Sequence, residues 1–206
     1  MVIKEIIDGY QSFRDKYAQG DNSVMKGLAY HGQQPEFMVV SCCDARVDPA
    51  LLFQRNPGDL FIVRNVANIV PPYENDEFHH GTSAALEFGI CYLNIPYLVI
   101  LGHSQCGGIS ALLNEDSLKQ QNDFIGKWVS LINSADSDTH DVDWYAQQAL
   151  HASYQNCLTY PWIAQRVQQK QLVIHRWFFD IKSAQVMAYV PHLQQYLKLE
   201  EALSVF

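Results

Sequence analysis

The chain has 206 residues, 14 Lys+Arg against 22 Asp+Glu, a formal charge of −8 with His neutral, and 48% hydrophobic residues, a composition that excludes a disordered chain and suits one core burying roughly 70% of the unfolded surface. Its acidic balance without a Lys/Arg run argues against phosphate-led binding to nucleic acid, and its longest apolar stretches, such as Tyr97 to Leu101, are too short to span a membrane. Residues 1–17 alternate charged with apolar residues and lack the apolar segment of a secretory signal, so cytoplasmic residence is the expectation.

Ile3, Ile6, Ile7, Tyr10, Phe13 and Tyr17 recur at helical spacing, which predicts an amphipathic N-terminal helix ending near Gly20, able to pack on its own domain or on a partner subunit. Phe37 to Ser41 is an apolar run typical of a strand buried on both faces. Leu60 to Val63, after the Asn56-Pro57-Gly58 turn, and Tyr97 to Leu101, after Pro96, are two more. Gly81 to Asn94 reads as a helix with Ala84, Ala85, Phe88 and Cys91 on related faces. Further helices are expected over Asp123 to Asn133 and over Val142 to Gln169, broken near Pro161. Strands are expected over Gln171 to Phe179 and Ala184 to Val190, then a polar helix from Pro191. Asn133 to Asp143, with four Asp and two Ser, reads as an exposed loop or helix start. Buried runs alternating with helices predict an α/β fold, a mainly parallel β-sheet flanked by helices. With no repeat, linker or low-complexity tract, residues 1–206 are expected to form a single domain with 1–20 as a helical arm.

Five cysteines, Cys42, Cys43, Cys91, Cys106 and Cys157, are an odd number in a chain too long to need stapling, and among histidines and acids they point to metal or catalysis. Cys42 directly follows one predicted strand, and His103 and Cys106 follow another; the carboxyl ends of parallel strands are where such sheets bind ligands. A His-x-x-Cys turn with a distant Cys makes three N/S donors. That set suits Zn²⁺ with one tetrahedral position open, the arrangement of catalytic zinc, and disfavours Mg²⁺ and Ca²⁺. Asp44 and Arg46, two residues apart just past Cys42, project to the same side of an extended segment. Alone they would be a surface ion pair worth ~0–1 kcal/mol. Beside a metal they gain a purpose. Two thiolates and a neutral imidazole cancel the charge of Zn²⁺, so this centre should acidify bound water less than an all-histidine one. An ionised Asp44 can orient the water, and Arg46, bidentate to Asp44, keeps that carboxylate from occupying the open position.

Cys42-Cys43-Asp44-Ala45-Arg46 resembles the Cys-x-Asp-Ser-Arg motif of β-class carbonic anhydrases, and Gly102-His103-Ser104-Gln105-Cys106-Gly107-Gly108 resembles their second zinc motif. Gly58 to Asn68, Val70-Pro71-Pro72-Tyr73 and Asn156-Cys157-Leu158-Thr159-Tyr160-Pro161 resemble further segments in the same order, the Pro-Pro-Tyr and Leu-Thr-Tyr-Pro pieces most like the plant-type branch. The resemblance implies reversible hydration of CO2 to bicarbonate and a proton, by attack of zinc-bound hydroxide on CO2, and the weakly charged centre predicts activity rising with pH above about 7. It implies Cys42, His103 and Cys106 as zinc ligands and Asp44 with Arg46 as the water-orienting pair. Gln33 matches a substrate-contacting Gln often offered by the neighbouring subunit, and the Gly107 N–H would donate to a substrate oxygen. Phe61 and Phe88 fall where the plant-type branch lines its CO2 pocket, although each also reads as ordinary core. A homodimer is implied, or a tetramer or octamer built from dimers, with the N-terminal helix across the partner.

Three departures stand out. Ala45 replaces the usual Ser, Phe88 stands where many plant-type members carry Tyr, and Val39 stands where the branch with an inhibitory bicarbonate site carries Trp. That inhibitory site is therefore expected to be absent, although Arg64 is present. Cys43 is expected to point away from the metal as a small buried residue and Cys91 and Cys157 to be core; His79 and His80 read as exposed loop residues able to pass protons to buffer. Two other readings stay open: the same centre acting on carbonyl sulfide or carbon disulfide, and a non-catalytic zinc protein.

Overall fold

The computed structural model describes residues 2–113, 124–132 and 141–205. Most of the expected loop from Asn133 to Asp143, and both ends of the expected helix from Asp123 to Asn133, lie outside the described residues.

Six strands form one sheet: β1 (Phe37–Cys42), β2 (Leu60–Asn65), β3 (Tyr97–His103), β4 (Val173–Asp180), β5 (Gln185–Val190) and β6 (Gln195–Lys198). Their order is β2-β1-β3-β4-β5-β6, the first four parallel and the last two added antiparallel. The apolar runs become strands because both faces are covered. Met38, Val40 and Cys42 enter the larger core on one face, and Val39 enters a smaller core on the other, with Val99, Leu101 and Phe179.

The helices are α1 (Val2–Tyr17), α2 (Val24–His31), α3 (Pro49–Leu52), α4 (Gly81–Glu87), which runs into a π turn over Phe88–Tyr92, α5 (Gly107–Leu113), α6 (Phe124–Val129), α7 (Val142–Thr159), α8 (Pro161–Gln168) and α9 (Leu199–Ala202). Leu86, Ile109, Val129, Leu150 and Ile163 bring α4 to α8 onto the larger core. α7 lies across β3 and β4, and no helix among the described residues is long and apolar enough to cross a membrane. α1 differs from the rest. Ile3, Ile6 and Tyr10 are 73%, 68% and 59% exposed, so this part of its apolar face is left bare by the other described residues.

Several elements depart from expectation, the short α3 and α5 among them. α2 was not anticipated; Ser23 caps it by accepting the Lys26 N–H, and Gly32 ends it at φ 76°. The polar helix expected from Pro191 is corrected to a hairpin. Gln194 adopts φ 53° in the turn, and Tyr196 and Leu197 then alternate, one toward the main core and the next toward the Ala188/Val190 cluster, a strand's period rather than a helix's.

Because β2 and β3 flank β1 on opposite sides, the chain reverses its winding direction at β1. The crevice beside the carboxyl ends of β1 and β3 is where such a sheet accommodates a ligand.

Candidate metal centre

Cys42 ends β1 and His103 ends β3, and the turn after His103 brings Cys106 back against Cys42. The two sulfurs are 4.0 Å apart, and one donor atom from each of the three residues lies within 4.8 Å of the others. All three side chains are buried. His103 Nδ1 lies 2.8 Å from the Ser104 carbonyl oxygen, which can only accept, so Nδ1 carries the proton and Nε2 presents its lone pair. That Nε2 is buried with no hydrogen-bond partner.

The backbone supports negative sulfur on both sides: the N–H groups of Asp44 and Ala67 donate to Cys42, and those of Gly108 and Ile109 to Cys106. The hydrogen bond from Cys106 holds the Cys42 thiol well below its ordinary pKa against the effect of burial. The same contact, with burial, pushes Cys106 up. Burial opposes charge on His103, yet Cys42, the Ser104 carbonyl and Asp44 together raise its pKa. The pocket is thus electronegative where the three donors converge. A tetrahedral Zn²⁺ with Zn–S bonds of about 2.3 Å sets its sulfurs about 3.8 Å apart, so the observed spacing, the orphaned Nε2 and the donor types all fit that ion.

Asp44 stands at the mouth. Its Oδ1 accepts the Arg46 backbone N–H and Nε–H, each at 2.9 Å, and its Oδ2 accepts Nη2–H at 2.7 Å. Oδ2 is also 3.9 Å from His103 Nε2, facing the donor set. The Arg46 hydrogen bonds hold the Asp44 carboxyl far below the usual carboxylate range, so it is ionised at any physiological pH. Ala45, exposed between them, leaves this arrangement intact.

Several residues support this arrangement from around it. Ser104 N–H donates to Phe179 O, and its Oγ accepts the Ile181 N–H, tying the turn to β4. Asp143, in the first turn of α7, accepts the Gln105 N–H at 2.6 Å. A Cβ on Gly108 would lie 2.6 Å from Val66 Cγ1, so only glycine lets α5 approach the 66–68 turn. Arg64 donates to the carbonyls of Cys42, Asp44 and Val47 and to the Asp48 carboxylate, bracing the loop after β1.

The carbonic anhydrase family model matches residues 37–186. A Synechocystis carbonic anhydrase is 32% identical over 197 residues, 91% of this chain and 71% of the relative. Chloroplastic β carbonic anhydrase 5 of Arabidopsis thaliana is 33% identical over 87% of this chain, which spans 62% of that protein's length. The solved structure of the β-carbonic anhydrase CcaA superposes with a TM-score of 0.85 at 30% identity, covering 96% of this chain and 100% of that one. This chain belongs to the β-carbonic anhydrases.

The β-carbonic anhydrase residues read from the sequence fall into two groups. Cys42, His103, Cys106, Asp44, Arg46 and Gly107 are at the carboxyl end of the sheet; Gly107 is exposed, opens α5, and has open space where a side chain would be. Gln33, Phe61 and Phe88 are elsewhere. Gln33 is exposed and precedes Phe37 at the amino end of β1, which puts Cys42 about 16 Å further along the strand. Phe61 pairs in register with Met38, about 13 Å before the Cys42–Asn65 level. Phe88 packs on Phe61 with ring centroids 6.0 Å apart and remains 45% exposed.

Cys43 corrects an expectation: it stands outside the group of three donors, but it is exposed rather than buried, because it lies just past the end of β1, where the described residues leave it uncovered. Cys157 is buried as expected, and Cys91 only half so. His79 is exposed, whereas His80 is held by Asp76 at 2.7 Å.

Proposed function

We propose that the reversible hydration of carbon dioxide, the reaction of the family to which this chain belongs, runs at the Cys42–His103–Cys106 centre with Zn²⁺ held by those three side chains. The observation that carries this reading is the buried, partnerless His103 Nε2 facing two sulfurs 4.0 Å apart, with the ionised Asp44 beside it. When bound, the metal supplies a Lewis acid that makes water a nucleophile at modest pH.

The chain's own residues do the rest. Asp44 Oδ2, aimed at the donor set, accepts the hydrogen bond of the attacking water and turns its remaining lone pair toward CO2. Arg46 spans both oxygens of Asp44 and holds the carboxylate off the ligand position. The Gly107 N–H donates to the oxygen on which charge develops. Carbon dioxide and water give bicarbonate and a proton, and the proton passes to solvent or buffer.

The smallest working unit is a homodimer, alone or assembled into tetramers or octamers. Gln33, Phe61 and Phe88 lie a strand's length from this chain's own metal centre, so they meet substrate only at the centre of a second copy. The bare apolar face of α1 is the surface for that copy to cover. Residues 1–206 act as one domain with 1–20 as its arm. All five cysteines are free, which supports a reducing compartment and cytoplasmic residence.

Stopped-flow CO2 hydration with zinc analysis tests the reading. Wild-type protein carries one zinc per chain and is active; Cys42→Ser loses the zinc and the activity, and Asp44→Ala keeps the zinc while activity falls about 10²-fold or more. An Asp44→Ala enzyme as fast as wild type would remove the orienting role.

A further inference from the structure

We propose that Asp143 is a positioning residue for the Asp44–Arg46 pair, acting through the backbone of Gln105; the inference rests on that pair's role in the proposed reaction. Gln105 lies between His103 and Cys106 with φ 54°, a left-handed conformation that a residue with a side chain keeps only when its surroundings hold it there. Its side chain is exposed, and both of its backbone groups are engaged. The N–H donates to Asp143 Oδ1 at 2.6 Å, and the carbonyl accepts Arg46 Nη2–H at 3.1 Å. The same Nη2 donates to Asp44 Oδ2 at 2.7 Å.

Asp143 is well anchored for this task. It belongs to the first turn of α7, its own N–H donates to the capping Asp141 Oδ1 at 2.9 Å, and α7 runs through eighteen residues across β3 and β4. The contacts therefore run from a rigid helix, through a strained turn, to the guanidinium that fixes the carboxylate beside the metal centre. Without Asp143, Gln105 relaxes toward φ below zero, its carbonyl turns away, and Arg46 loses the contact that sets its outer edge.

The test compares Asp143→Ala, Asp143→Asn and the double variant Asp143→Ala/Gln105→Gly, each loaded with zinc. Asp143→Ala should lower kcat about tenfold, because a small displacement of an orienting group is costly, while KM and zinc content stay within about twofold. Asp143→Asn keeps the accepting oxygen and should recover most of the rate. Gln105→Gly in the alanine background should recover about threefold or more, because glycine adopts this conformation without strain. Hydrogen exchange should quicken across residues 102–110 in Asp143→Ala and return toward wild type in Asp143→Asn. Equal losses in the alanine and asparagine variants, a loss carried by KM or by zinc content, no recovery with glycine, or unchanged exchange would each overturn the proposal. A wild-type zinc protein that does not hydrate CO2 would instead overturn the reaction, while the exchange of 102–110 still decides whether Asp143 holds the turn.

Discussion

At the carboxyl end of the sheet everything converges: three buried donors, backbone N–H groups aimed at both sulfurs, and a carboxylate locked by Arg46 all come from one chain. At the amino end the reverse holds. Gln33 and Phe88 face outward, Phe61 is half-covered, and the helix α1 exposes Ile3, Ile6 and Tyr10. The contrast teaches that metal holding and substrate holding have different structural requirements. The donor set must be rigid and dry, so it is built from strand ends and tight turns within one core. On the proposed reading, the substrate side is assembled from surfaces that become buried only when two chains meet.

The largest expected effect breaks that contrast at the amino end. Ile6→Glu with Tyr10→Glu puts two charges on the exposed face proposed to meet a second copy. The product should be a monomer by light scattering that keeps its zinc yet loses about tenfold or more in CO2 hydration. A fully active monomer would show that one chain is sufficient.

At the carboxyl end, Gly108→Ala drives a methyl into Val66 and Ala67. A destabilisation of about 1–3 kcal/mol is expected in chemical denaturation, with weaker zinc retention, because the Cys106 side of the centre must shift.

A smaller effect lies between the two ends. His151 on α7 accepts from Arg176 Nη1 at 2.5 Å, while Arg176 also lies 3.9 Å from the Tyr189 ring and 4.4 Å from the Tyr154 ring. Burial, then the Arg176 charge, lowers the His151 pKa from 6.5 to about 4. The unfolded chain takes up this proton near 6.5 and the folded one only near 4, so the contribution is whole above the first value and is lost as pH falls toward the second. His151→Gln, which keeps an accepting oxygen, should flatten the stability curve across that window in thermal unfolding.

The smallest expected effect is none. Every nitrogen of the Arg64 guanidinium is already donating, and Val39 is sealed in the core. Bicarbonate should therefore inhibit only as product, and a crystal grown in bicarbonate that held the ion beside Arg64 would contradict this.

Much of the carboxyl end was legible in the sequence because its signals are local. The strands β1 and β3 show as continuous apolar runs, and Cys42, Asp44, Arg46, His103 and Cys106 stand directly after them. What the residues around those groups do to hold them in place was not legible. Asp143 acts through one backbone contact that leaves no periodic trace, and the parts played by Ser104 and Gly108, although both stand in the second motif, depend on Phe179, Ile181 and Val66 being their neighbours in space. Strand register is likewise unwritten in the residues. Phe61 and Phe88 read as pocket lining, but only the pairing of Phe61 with Met38 reveals which end of the sheet they occupy. The short α2 was hidden by Gly27 within it, and β6 by a turn that places Gln194, not glycine, in the left-handed region.

Complementation between two inactive chains tests the division most directly. Cys106→Ser breaks the metal centre and leaves the amino end whole; Gln33→Ala with Phe61→Ala breaks the amino end and leaves the metal centre whole. Co-refolded in equal amounts, the two should recover up to about a quarter of wild-type CO2 hydration, because half the dimers are mixed and each mixed dimer has one intact site. Activity no greater than the sum of the separate variants would contradict a substrate site shared between two copies.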